Sequence, residues 1–161
     1  MFVESSFPVA LPLADARAAL VSALAGDGLV DESSRAYAEG LRGLRQVGAH
    51  GLSKRVEVKT LPARTVDETT IMPIRWEATG VAGQLFPALD ADLCLTAVNE
   101  VTCLLSIVGR YAPPLGGIGQ VIDRTVLSGT AQSSVDAFLR ELSGTIRKIA
   151  MARHRGTASR G

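Results

Sequence analysis

Apolar side chains at Val135, Phe138, Leu139, Leu142, Ile146 and Ile149 recur at i, i+3, i+4, i+7, i+11 and i+14, which places them on one stripe of an α-helix. Ile118, Val121, Ile122 and Thr125 extend the stripe upstream. Roughly 33 residues of helix would run about 50 Å at 1.5 Å per residue, long for a small domain. A kink near Ser128 to Thr130, where Gly129 interrupts the stripe, or a projecting C-terminal end is therefore expected. Gln132 also breaks the stripe. It is read as rotated out of the apolar face, the other reading being a polar contact inside a cavity. Such a helix needs an apolar surface to lie on, and the residues before it supply strands.

Phe2 to Leu11 has strand character, with Pro8 demoting it to an edge or a bent strand. A short helix follows: Pro12 sits where a helix can begin, Asp15 lies in its first turn, and Ala16, Ala19, Leu20 and Leu24 follow at helical spacing. The glycines of "GDG" at 26–28 stop it, and a second short helix is expected from Asp31, carrying Ala36, Tyr37 and Leu41. The period then changes to two. In "SKRVEVKTLP" Arg55, Glu57 and Lys59 alternate with Val56, Val58 and Thr60; in "TIMPIRWEAT" Arg75 and Glu77 alternate with Ile74, Trp76 and Ala78. Pro73 in the middle of the latter suggests an edge or a bulge. "ADLCLTAV" and "VTCLLSIVGRY" flank Asn99-Glu100 as a hairpin. A two-residue turn there would put Cys94 and Cys103 on one face. A longer turn would group Leu93 and Leu95 with Cys103, Leu105, Ile107 and Tyr111; it is preferred because it leaves Thr102, Ser106 and Arg110 outward. Successive strands with helices gathered to one side describe an α+β domain built on an antiparallel sheet.

"GRYAPPLGGIGQVID", residues 109–123, looks at first like a phosphate-binding loop. A dinucleotide fingerprint needs G-x-G-x-x-G between a strand and a helix, then a second parallel strand. Here the preceding strand belongs to an antiparallel hairpin and no crossover follows. A P-loop would need Lys-Ser or Lys-Thr after the glycines, and neither is present. Pro113 and Pro114 stop strand pairing and the glycines permit a sharp reversal, so the stretch is a corner from strand to helix.

Several segments together resemble a known group. "IMPIRWEATG", "LFPALDADLCL", "GRYAPPLGGIGQVIDR" and the long C-terminal helix look like a bacterial branch of the START-like superfamily, also called SRPBCC, which includes birch pollen allergens, polyketide cyclases and lipid-transfer domains. The likeness is specific at Trp76, Phe86-Pro87 and Tyr111 to Gly116, and weak over the first forty residues. It implies a helix-grip fold: a curved antiparallel sheet, two short N-terminal helices, and a long C-terminal helix across the sheet with an apolar cavity between them. It transfers no catalytic signature.

Composition narrows function further. A 47% hydrophobic content with only four Phe, two Tyr and one Trp requires an aliphatic core, with apolar surface to spare for a cavity wall or a subunit contact. The net charge is +1, but the last fifteen residues carry Arg147, Lys148, Arg153, Arg155 and Arg160 and no acid. No aromatic accompanies the tail, so nucleic-acid binding is not expected. One domain over 1–150 and a frayed basic tail over 151–161 are expected. Two cysteines make no disulfide framework, the first residues carry an acid and no base before the apolar stretch, and no run is long enough for a membrane span. A cytoplasmic location is expected. His50 and His154, the only histidines, have no Cys or acid at ligand spacing, so no metal or other cofactor is expected.

These observations favour non-catalytic binding of a small hydrophobic molecule, lipid or polyketide-like, against Val58, Ile74, Trp76, Leu95, Leu105, Ile107, Tyr111 and Phe138. An enzyme of the cyclase or aromatase type is the second reading. It would use Glu68, which shares strand parity with Thr70, Ile74 and Trp76 and would point inward in an unbroken strand, with Tyr111 as a further proton donor or acceptor. A structural homodimer through a sheet face bearing Leu104 and Val108 is the third.

Overall fold

The computed structural model describes residues 2–25, 56–78, 88–112 and 124–158. In chain order they form β1 (Phe2–Val9), α1 (Leu13–Ala25), β2 (Val56–Thr60), β3 (Arg64–Val66), β4 (Thr69–Ala78), β5 (Ala88–Asn99), β6 (Thr102–Ala112) and α2 (Arg124–Ala158). The strands make one antiparallel sheet in the order β1-β6-β5-β4-β2, with β3 also paired to β4. The helices cover its inner face, giving a helix-grip arrangement. The expected helix from Asp31 and the glycine corner from Pro113 to Asp123 lie outside the described residues.

Local chemistry accounts for the elements. Pro8 is tolerated because β1 is an edge strand with only β6 beside it. The Pro12 carbonyl accepts the first helical bond of α1 from the Ala16 amide at 3.0 Å. Ala16, Ala19, Leu20 and Ala23 then bury one face of α1, and its small side chains let it sit close against α2. In α2 the predicted stripe is the buried face: Val135, Phe138, Leu139, Leu142 and Ile146 are sealed, and Ile149 is partly buried.

Three expectations change. The hairpin turn is two residues, Glu100-Val101, yet Leu93 and Leu95 do share a face with Cys103, Leu105 and Ile107. A bulge between Ala97 and Asn99 shifts the register by the one residue that a longer turn would have supplied. Cys94 therefore faces outward, opposite to Cys103. Pro73 marks neither an outer edge nor a bulge, since the β4–β5 register runs unbroken through it. It stands where β2 has ended and β3 has not begun; its carbonyl accepts from the Leu61 amide at 2.9 Å, so its missing N–H faces that same interruption. Thr60, placed with the buried residues by alternation, is exposed because β2 ends there at the sheet margin.

The segment from 151 begins as a continuation of α2. Met151 to Arg155 contains no helix breaker, and α2 continues to Ala158 with Met151 to Gly156 exposed beyond the last buried side chain, Ala150. This is the projecting C-terminal end allowed by the length of the stripe.

The sheet closes tightly at one point. Gly109 pairs with Ala91, and a Cβ on Gly109 would collide with the Ala91 Cβ, lie 2.5 Å from the Asp90 carbonyl oxygen and 2.6 Å from the Ala91 Cα. Only glycine allows the two strands this approach.

Candidate binding site between the sheet and the C-terminal helix

Inward-facing side chains are arranged in rows across β4, β5, β6 and β1: Trp76–Leu89–Tyr111, Ile74–Ala91–Gly109–Val3, Met72–Leu93–Ile107 and Thr70–Leu95–Leu105. Period-two alternation places them there, because every second residue of a strand faces α2. Of the eight proposed ligand-contacting residues, Ile74, Trp76, Leu95, Leu105, Ile107, Tyr111 and Phe138 come together in one cluster. None exposes more than 4% of its surface, and Leu95, Leu105, Ile107 and Phe138 expose none. A side chain lining a water-sized void would retain accessible surface. These seven are therefore packed on their neighbours. For Val58 the structure describes the backbone alone, paired with Trp76 across β2 and β4.

Contact between sheet and helix is uneven. α2 lies along β1 and, to a smaller extent, β6, and scarcely approaches β4 or β5. A polar clasp fixes this position. Ser5 Oγ donates to Asp136 Oδ1 at 2.6 Å, and Gln132 Nε2 donates to the same carboxylate at 3.0 Å and to the Glu4 carbonyl at 2.9 Å. Gln132 thus leaves the apolar stripe to meet the edge strand. On the β4 side the bridge is aromatic: the rings of Trp76 and Phe138 stand edge to face, centroids 5.1 Å apart at 89°.

Two buried polar atoms on β4 have no hydrogen-bond partner among the described residues, Trp76 Nε1 and Thr70 Oγ1. Both belong to the inward set, six residues apart, at opposite ends of the strand. A buried donor left unpaired costs about 1–3 kcal/mol, so each marks a position where a polar atom of another molecule would be favoured.

Glu68 does not enter this interior. It is exposed in the Asp67-Glu68 turn between β3 and β4, where Asp67 adopts a left-handed φ of 52°. The strand begins only at Thr69, so the parity argument does not reach Glu68. Burial pushes the Tyr111 phenol well above its usual range, and burial likewise raises both thiols, with Asp92 adding to the effect at Cys94. These groups hold their protons at neutral pH. No three His, Cys, Asp or Glu residues come together among the described residues, and His154 stands 3.5 Å from Asp15. Leu104 and Val108 are half-buried on the outer face. No described helix is long and apolar enough to cross a membrane.

Sequence reasoning missed Leu89, Met72 and the Ser5–Asp136 clasp. Strand parity with Ile74 reaches Met72. Asp136, one turn from Gln132 beside the stripe, carried a signal for a polar contact at its edge.

No family model and no curated protein matches the sequence. Among solved structures, the chain is similar to a conserved protein from Geobacillus kaustophilus, at 15% identity over 90% of this chain and 94% of that one, with a TM-score of 0.53. A hypothetical protein from Helicobacter pylori (9% identity, 89% and 86% covered, TM-score 0.47) and the Zhui aromatase/cyclase from Streptomyces sp. R1128 (9%, 92% and 94%, TM-score 0.46) are also found. At these identities the likeness is one of fold.

Proposed function

We propose that the protein binds a small, largely apolar molecule between the sheet and α2, on the β4–β5 side, without transforming it. The observation that carries this reading is the Trp76 indole N–H, sealed within the protein and lacking an acceptor. A ligand with one acceptor, such as a carbonyl, ester or hydroxyl oxygen, would satisfy that donor while its apolar body was buried at roughly 25 cal/mol per Å². Room for it comes from the seam itself. α2 is clasped to β1 and bridged to β4 by the Trp76–Phe138 contact, so parting those two rings opens the interior without undoing the clasp. The cyclase reading loses support, since Glu68 stands outside the interior.

Native mass spectrometry of protein purified without detergent, followed by denaturing release, tests the proposal. A discrete added mass shared by independent preparations and absent from Trp76→Ala is expected. An apo mass in every preparation, together with no uptake of lipids or aromatic ketones offered at micromolar concentration, would overturn it.

A further inference from the structure

Alternation along β4 sends Thr70, Met72, Ile74 and Trp76 to the interior and Thr69, Ile71, Pro73 and Arg75 to the outer face. The hydroxyls on the two faces are not equally engaged. Thr69 Oγ1 stands 3.1 Å from Thr96 Oγ1, its neighbour in the β4–β5 register. Thr70 stands opposite Leu95, with Leu105 beyond it, and neither of those side chains can donate or accept a hydrogen bond. Its hydroxyl is left without a partner among the described residues at 3% exposure, as the Trp76 N–H is at 1%. Met72 and Ile74, sealed and apolar, occupy the strand between them.

The inward strip of β4 thus runs polar, apolar, apolar, polar. Its ends are about 20 Å apart, the span of an extended chain of about fourteen carbons. Neither end carries a charge. Among the described residues no Asp, Glu, Lys, Arg or His is buried, and the other buried polar side chains, Ser134 and Ser143, belong to α2 and are engaged. A charged head group would lose its hydration there and meet no counter-ion. The indole only donates, so its partner is an acceptor; a threonine hydroxyl can donate or accept.

Resting on the interior site proposed above, we infer that its ligand is an elongated molecule with a neutral polar group at each end, such as a long-chain diol, hydroxy-ketone or hydroxy-ester. One end accepts from Trp76 Nε1 and the other bonds Thr70 Oγ1. Thr70 then sets both the length of the ligand and the need for a second polar group.

Titration of the Trp76 indole N–H resonance in the full chain tests this, with the α,ω-diol of tetradecane, tetradecanol and tetradecanedioate as probes. The diol is expected to bind about fivefold or more tightly than tetradecanol, because it alone satisfies both buried groups, and the doubly charged dioate more weakly than either. Thr70→Val replaces the hydroxyl by a methyl in a residue equally suited to a strand. It should keep or raise the melting temperature, leave the affinity for tetradecanol unchanged and abolish the preference for the diol, whereas Thr70→Ser should retain that preference. Equal affinity of the diol and tetradecanol, a dioate that binds as tightly as the diol, or a Thr70→Val that weakens both alcohols alike would overturn the inference while leaving the interior site in place. An indole resonance that no probe moves would also overturn it, and would remove the interior site with it if native mass spectrometry finds no added mass.

Discussion

Adding a single methyl at Gly109 should cost more than most substitutions on this sheet. No left-handed φ is required there, so alanine is refused by space alone. Two of the three atoms a new Cβ would meet inside 3.0 Å are backbone, the Asp90 oxygen and the Ala91 Cα, and no side-chain rotation relieves them. Overpacking of this kind costs about 1–3 kcal/mol, and more when backbone must move. The smaller conformational entropy of unfolded alanine returns about 0.4–1 kcal/mol. A net loss of about 2 kcal/mol or more is expected. Urea denaturation should show it as a lower midpoint with an unchanged slope, a shift of about 1 M at a slope near 2 kcal/mol per M. Ala91→Gly in the same chain removes only one of the three collisions, so it should restore less than half of the loss. Gly109→Ala as stable as the wild type would refute the close approach of β5 and β6.

Other expectations follow from the same geometry. Because burial raises the folded-state pKa of Tyr111 above the unfolded value near 10, its contribution to stability is whole below about pH 10 and lost as pH rises further. Tyr111→Phe should flatten the alkaline stability profile by up to about 1.4 kcal/mol per pH unit, measured as the difference from wild type. Ser5→Ala should destabilise by about 1 kcal/mol in chemical denaturation, and the effect should shrink in an Asp136→Ala background, because the two share one bond. Glu68→Gln should leave stability within about 0.5 kcal/mol and leave any co-purified ligand in place. Loss of that ligand would return Glu68 to the site.

How much of this was legible beforehand can be judged residue by residue. The helix stripe and the inward set of β4 and β6 follow from period alone, since burying one face of a regular element leaves a regular pattern. Hairpin register does not, because Ala97, Val98 and Asn99 carry no turn signal that distinguishes a bulge from a longer loop. Pro73 announced a missing donor correctly, but whether that donor faces solvent or a break in the neighbouring strand is a tertiary fact. Glu68 shows the limit of parity: alternation holds within a strand and is void one residue outside it. The candidate site divides in the same way. The buried apolar cluster that faces α2 could be named from the sequence. The unpaired Trp76 N–H could not, because the lack of an acceptor depends on everything packed around it.

The indole N–H of Trp76, the only tryptophan, gives a single resonance, and following it through ligand removal tests the central claim most directly. Protein purified without detergent would be compared with the same preparation unfolded, stripped of bound molecules and refolded, and then with the released fraction added back. Binding between the sheet and α2 predicts that the resonance moves on stripping, as its acceptor is lost, and returns when the fraction is restored. An indole resonance that stays at one position through all three states would contradict the account, and would make Trp76 a core residue with an unpaired donor.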